Sequence, residues 1–466
     1  MADSWVNSAA RLGSDLHLEL AGTGSRRAVL MRALRDAVRD GRLAPGTRLP
    51  PYRSLAADLG LARNTVAEAY AELVAEGWLV ARQGSGTQVA PRTEARISPA
   101  AKAAPARSAA PTHNLKQGQP DPASFPRSDW LAAARRAFTA APNDAFGVGD
   151  PQGRPELRRA LAEYLARVRG VRTTPDCIVV CSGVAHALRL LFGGKVLRGP
   201  LALESYGLAF HRSILDAASV RTVPLPLDER GARTDELAGV RAAMLTPAHQ
   251  FPTGGPLHSE RRVRAVEWAR SRGNLIIEDD YDGEFRYDRE PVGAVQGLAP
   301  ERVVYLGSLS KSLSPAVRLG WMVLPESLVA PVLAAKGDRE AWTSVVDQLT
   351  LAEFIESGHY DRHIRRMRQR YRSRRDRLVA ALAPHITATG IVAGLHAVLR
   401  LPPGTERATV RAAAAQSIAL DGLADFRHPD ATMPAFDGLV VGYAAPSDRG
   451  YEAALAALGR ILPPAT

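Results

Sequence analysis

Five lysines stand in the 466 residues, at positions 102, 116, 195, 311 and 336, and the rest of the 60 basic residues are arginine. Any chemistry that needs a free amine must therefore use one of the five. Lys311 has the richest surroundings. The segment Ser308-Leu-Ser-Lys-Ser-Leu-Ser-Pro-Ala-Val-Arg318 follows the apolar run Val303–Leu306, so Ser308, Ser310 and Arg318 can gather round one anion beside the lysine. Glu278-Asp-Asp-Tyr281 closes another apolar run, which places Asp279 at the C-terminal end of a strand and Tyr281 just beyond it. Ser182-Gly183 precedes the helical stretch Ala185–Leu191, whose first amides can face an anionic group. A lysine for an imine, a carboxylate to keep a pyridine nitrogen protonated, a phenol near the ring hydroxyl and a cup for phosphate are what pyridoxal 5′-phosphate asks of a protein. Each signal is weak by itself, because lysines in serine-rich loops usually lie on the surface and strand-end acids usually cap. Together, at three successive strand ends, they favour the cofactor.

The elements that would position these groups read as short apolar runs alternating with helical stretches. Ile178–Val180, Leu201–Leu203, Ala242–Leu245, Leu275–Ile277 and Val303–Leu306 are the runs, and this rhythm predicts a mostly parallel α/β sheet with its site at the strand ends. From about Trp342 the pattern turns to long helices, among them the arginine-rich 362–377, whose charges read as a solvated face, and then to a smaller α/β portion. Residues 91–112 contain four prolines, many alanines and no apolar period, as a flexible linker would. The predicted organisation is thus a module over 16–90, a linker over 91–112 and a larger domain over 113–466.

The first module carries helical apolar periods over Arg27–Gly41, Leu55–Leu59 and Thr65–Glu76, then two short strands round a glycine-rich tip between Trp78 and Val89. Three helices and a β-hairpin make a winged helix-turn-helix. Residues 1–112 hold 15 basic and 10 acidic side chains, a net +5 of the chain's +12, so this quarter is the more positive per residue. Such charge suits phosphate attraction, although a solvated interaction module would also carry it. Arg63, Asn64 and Thr65 open the third helix, where base edges are read, while Arg53 just before the second helix and Gln83-Gly84 at the wing suit phosphate or groove-edge contacts. The expected partner is a double-stranded DNA operator.

The order Gly41-Arg-Leu-Ala-Pro-Gly-Thr-Arg-Leu-Pro50, Leu55-Ala, Arg63-Asn-Thr-Val66, Glu76-Gly-Trp-Leu79 and Gly84-Ser-Gly-Thr87 resembles the GntR-type winged helix throughout. Thr246-Pro-Ala-His-Gln-Phe-Pro-Thr-Gly254, Glu278-Asp-Asp-Tyr-Asp-Gly-Glu-Phe-Arg-Tyr287 and the Lys311 segment resemble fold-type I aminotransferases. With both parts together, the chain resembles the MocR subfamily of GntR regulators over essentially its whole length. The resemblance implies Lys311 as the imine lysine, Asp279 as pyridinium partner, Tyr281 as ring-hydroxyl partner, and Ser308 and Arg318 as phosphate ligands. It also implies a head-to-tail homodimer.

Several positions depart from the family pattern. Tyr52 replaces a small residue before Arg53, and Ala67 stands where some relatives carry a second DNA-contacting arginine. Val148 stands where relatives often place a phosphate-binding tyrosine, Leu208 where an aromatic usually stacks on the pyridine, and Ser182-Gly-Val-Ala-His186 lacks a polar residue two after the glycine unless His186 substitutes. Val440 occupies the place of the arginine that clamps a substrate carboxylate, a loss on the scale of about 2–4 kcal/mol for a charge-assisted pair.

The expectation is a cytoplasmic transcription regulator, not an enzyme, that senses pyridoxal phosphate alone or with an amine or amino acid and converts binding into a changed dimer geometry on DNA. Two rivals stay open: a working aminotransferase with an accessory DNA domain, and a regulator whose large domain is a cofactor-free dimerisation scaffold. No signal peptide or membrane span is legible. His249 and His258 have no second ligand at metal spacing and read as local hydrogen-bonding residues, and Cys177 and Cys181 as reduced, packed thiols.

Overall fold

Apolar period and turn residues decide the N-terminal unit. In the computed structural model, which describes residues 18, 20, 24–82, 86–91, 111–147, 149–287, 293–337, 343–382, 388–390 and 392–463, the chain divides into units 1–109 and 110–466. Helix α1 (Arg26–Arg39) starts where the Ser25 hydroxyl accepts from the Ala28 N–H at 3.3 Å. Helix α2 (Tyr52–Leu59) ends at Gly60, which takes the left-handed φ of +64° that glycine adopts without a side-chain penalty. Helix α3 (Arg63–Ala75) leads into the antiparallel pair β1 (Leu79–Arg82) and β2 (Gly86–Val89), with Leu79 opposite Val89. Leu30, Leu34, Leu55, Val66, Leu73, Leu79 and Val89 form one buried cluster, and each such side chain contributes about 1.5–3 kcal/mol when removed from water. Helix α2 begins three residues before the predicted Leu55, because Pro50-Pro51 fix the approach and the first turn is polar. Arg53 accordingly sits inside the first turn of α2 and not ahead of it.

The large unit is built on a seven-stranded sheet. Its strands are β3 (Ile178–Cys181), β4 (Leu201–Glu204), β5 (Thr222–Leu225), β6 (Ala242–Leu245), β7 (Leu275–Asp279), β8 (Val303–Ser308) and β9 (Gly320–Val323). The spatial order is β3-β9-β8-β7-β6-β4-β5. All neighbours are parallel except β9, which runs antiparallel to both β8 and β3. The predicted strands are all present, and β5 and β9 were not among them. The strand ends bearing Ser182, Asp279 and Lys311 are therefore not three successive ones, since β9 separates β3 from β8. Both faces of the sheet are apolar: Val179, Ile277, Val304 and Met322 pack on one side, while Ile178, Val180, Tyr305 and Trp321 pack on the other.

Beyond residue 343 the chain forms α4 (Val345–Glu356) and the 24-residue α5 (His359–Leu382), then a four-stranded antiparallel sheet that includes β10 (His396–Arg400) and β11 (Gly438–Gly442). The arginines of α5 do not form a uniform solvated face. Arg374 is 2% exposed and donates to the carbonyls of Tyr443 and Ala444 and to Asp448, which locks the helix to the C-terminal portion. Cys177 and Cys181 are free, and burial pushes the Cys181 thiol up to about 11, so it is no thiolate nucleophile. No helix among the described residues is long and apolar enough to cross a membrane.

Candidate functional site

A cavity of about 260 Å³ opens at the C-terminal ends of the parallel strands, and Lys311, Asp279, Tyr281, Ser308, Ser310, Arg318, Ser182 and Gly183 all line it. The antiparallel strand explains how residues 308–318 come together. Strand β9 folds straight back along β8, with Ser308 opposite Gly320 and the Leu309 N–H bonded to the Leu319 carbonyl at 3.0 Å, so Arg318 returns to the loop that carries Lys311. Arg318 holds a φ of +55°, unusual for a residue with a side chain and characteristic of positions over-determined at a site. A Cβ on Gly320 would lie 2.7 Å from the Gly183 Cα, so the β3 end and β9 approach closely only because residue 320 is glycine.

The lysine amine does not point into solvent. Lys311 Nζ donates to the Gly118 carbonyl at 2.6 Å, and its burial lowers its proton affinity, opposed by the charges of Asp279 and Asp282. Asp279, the last residue of β7, is 5% exposed and its Oδ1 has no hydrogen-bond partner. Burial, helped by Asp280, pushes this carboxyl up to about 7, while Lys311 pulls the other way. The Tyr281 hydroxyl lies 2.9 Å from His249 Nδ1, which lies 2.8 Å from the buried Asp282 Oδ2. Burial first and Asp282 second raise the Tyr281 phenol well above its ordinary value.

At the β3 end of the cavity, Ser182 and Gly183 (φ +109°) lead into the short helix Val184–Leu188, and Val184 and Ala185 also line the cavity. His186 does not take the place of the missing polar residue: its Nδ1 accepts from the Ser182 N–H at 3.1 Å, so it turns back on the loop. Leu208 lines the cavity as an aliphatic wall with Phe210 two residues on. Val148 lies outside the described residues. Val440 is fully buried on β11 in an apolar cluster with Tyr206, Phe251, Val398 and Phe426, and it does not line the cavity.

Two lining residues, Glu204 and Thr246, and one just outside the lining, Gly118, have no assigned role in the sequence reading. Gly118 supplies the carbonyl that holds Lys311 from 193 positions away, and no local pattern signals it. Glu204 and Thr246 form a buried pair at 2.5 Å, with the Glu204 carboxyl pushed up to about 7 by burial. Their strand-end positions were the available signal. His249 bonds Tyr281 and Asp282, and His258 Nδ1 lies 2.8 Å from Arg230, so both make local hydrogen bonds.

In the N-terminal unit, Arg63 and Asn64 are exposed at the start of α3 and Thr65 is half-buried. Ala62 at the helix N-cap offers no side-chain acceptor, so the first-turn amides are left to an outside partner. Arg53 is exposed, with its guanidinium 5.8 Å from the Tyr52 ring centre. Gln83 and Gly84 lie outside the described residues.

A winged helix-turn-helix joined to an aminotransferase-type α/β unit defines a class of DNA-binding transcription regulators. Residues 27–89 match the bacterial regulatory protein gntR family, and residues 111–425 match aminotransferase class I and II. The chain is 34% identical to the probable rhizopine catabolism regulatory protein MocR of Rhizobium meliloti, covering 89% of each. It is 33% identical to the pyridoxine biosynthesis transcriptional regulator PdxR of Corynebacterium glutamicum, covering 79% of this chain and 82% of that one. In fold, it is similar to the Pyrococcus horikoshii kynurenine aminotransferase, with a TM-score of 0.67 and 23% identity over 75% of this chain and 90% of that chain. The chain belongs to the MocR-type regulators of the GntR family.

Proposed function

We propose that this regulator binds pyridoxal 5′-phosphate in the Lys311 cavity as its effector and that occupancy alters its hold on operator DNA. The observation that carries the reading is the Asp279 Oδ1, a buried carboxylate oxygen without a protein partner in the cavity that also holds Lys311. A buried acceptor left unpaired costs about 1–3 kcal/mol, and a protonated pyridine nitrogen would relieve it. When bound, the group supplies an aldehyde carbon on an electron-withdrawing ring. Lys311 would capture that carbon, Tyr281 would face the ring hydroxyl, and Ser308, Ser310, Arg318, Ser182 and Gly183 would hold the phosphate. The lowered proton affinity of Lys311 supports its role, because capture needs the neutral amine.

Val440 in its apolar cluster supports sensing over transamination, since nothing at that position could orient a substrate carboxylate. An amine or amino acid acting beside the cofactor stays compatible with this reading. Arg53, Arg63, Asn64, Thr65, Gln83 and Gly84 would contact double-stranded DNA, and the working form would be a cytoplasmic head-to-tail homodimer. The domain limits proposed are 16–90, 91–112 and 113–466.

The deciding experiment is an absorbance titration of the protein with pyridoxal phosphate beside Lys311→Ala. A band at the visible edge that borohydride removes, and that the variant lacks, is the expected result. No band and no binding by the wild-type protein would leave the large unit as a scaffold or a receptor for another ligand.

A further inference from the structure

We propose that the outer face of α5 is a second DNA contact, taking the sugar-phosphate backbone beside the segment held by the N-terminal module. The helix carries nine arginines, and five of them are occupied within the large unit. Arg370 pairs with Asp121 and Asp448, Arg374 with Asp448, and Arg377 with Glu452. Arg368 donates to the Glu284 carbonyl at 2.7 Å, and Arg366 lies 3.2 Å from His363 Nδ1. Of the other four, Arg375 is half-buried, while Arg362, Arg365 and Arg372 are exposed, and no hydrogen bond or ion pair engages the side chains of these three among the described residues.

Helix geometry brings the three together. At about 100° and 1.5 Å per residue, 362, 365 and 372 fall with Arg366 and Gln369 on one arc of roughly 120° that runs about 15 Å along the axis. Asp376, at the far end, is the one acid on that arc. Elsewhere the same fold meets its arginines with acids, as at Arg167–Asp361 and Arg270–Glu301. Unpaired like charges held side by side repel one another, so the stripe gains from a polyanion that neutralises several at once. Duplex DNA presents one negative charge per about 1.7 Å of axis. Guanidinium groups meet phosphate through two parallel hydrogen bonds, and Gln369 adds a neutral donor in the middle of the row. An acidic protein would satisfy the charge as well; a chain with a DNA-reading module already brings the polyanion to itself, and this inference rests on that reading.

The test uses the full chain, its triple variant Arg362→Gln/Arg365→Gln/Arg372→Gln, and random-sequence duplexes of 15 and 40 base pairs, with affinity followed from 50 to 200 mM salt. On the longer duplex the variant's log–log salt slope should fall by about 2.7 for one stripe, three phosphates at 0.9 each, so the loss of affinity across that salt range shrinks roughly 40-fold. The short duplex should be unaffected, and lysine at the three positions should keep the slope. An unchanged slope on 40 base pairs, or an equal change on both lengths, overturns the second contact. Arg63→Ala, measured alongside, keeps the two readings apart: it weakens both lengths if the N-terminal module holds DNA and neither if it does not.

Discussion

Asp279 shows how burial resets a single carboxylate. Its folded-state value of about 7 stands above the ordinary 3.8, so the protonated form is the one the fold favours. Its contribution to stability is complete below about pH 4 and is lost as pH rises through 7. Cofactor-free protein should therefore melt at a lower temperature at pH 8 than at pH 5, and Asp279→Asn should reduce that fall without abolishing it, because Glu204, Glu278 and Glu284 are raised in the same direction. Thermal melts across this range check the point, and a variant with an undiminished fall would remove Asp279 from the account. The same substitution should weaken pyridoxal phosphate binding by about 1.5–3 kcal/mol, the scale of a charged hydrogen bond. Residue types made this position legible in the sequence, since a strand-end Asp with a Tyr two residues on is a local pattern. The Gly118 carbonyl was illegible because its partner is remote in sequence and any residue supplies a carbonyl.

Strand β9 is the element on which the site turns. Sequence rhythm revealed the parallel strands, whose apolar runs are flanked by turns, yet Gly320-Trp-Met-Val323 was passed over because it follows the Lys311 loop with no helix between and so breaks the rhythm. Its antiparallel return brings Arg318 back to the cavity that Lys311 lines, and its first residue approaches Gly183 in the loop after β3. Gly320→Ala places a methyl 2.7 Å from the Gly183 Cα and 2.8 Å from the Gly307 carbonyl oxygen. The backbone must move to accept it, at a cost of about 1–3 kcal/mol on the scale of overpacked cores. Chemical denaturation should show that loss together with weaker cofactor binding, whereas Gly459→Ala, in a helix where no atom comes within 4 Å of the added Cβ, should leave binding unchanged. A Gly320→Ala protein of wild-type stability and affinity would show that the approach is looser than described.

At the scale of the whole molecule, the proposed binding of both DNA and pyridoxal phosphate to one chain carries a reciprocity: whatever factor pyridoxal phosphate applies to operator affinity, operator must apply to pyridoxal phosphate affinity. Equilibrium titrations in both directions should return the same factor, and a factor of one both ways would mean that the cavity does not regulate. Arg63→Ala should weaken operator binding by about 1–3 kcal/mol while leaving the cofactor band intact, measured by gel-shift and absorbance on the same preparation. Unchanged operator affinity would take Arg63 out of the recognition role.

The hydrogen bond from Lys311 to Gly118 has a mechanical side. Gly118 lies seven residues after Pro111, and the intervening stretch is fastened where Leu115 bonds the Ala419 carbonyl and its own carbonyl accepts from Gly442. An aldehyde that takes the Lys311 amine takes it from that carbonyl. The Lys311 amine is thus a catch on the turn at Gly118, and a ligand that took the amine would free that turn while the Leu115 bonds three residues earlier still hold.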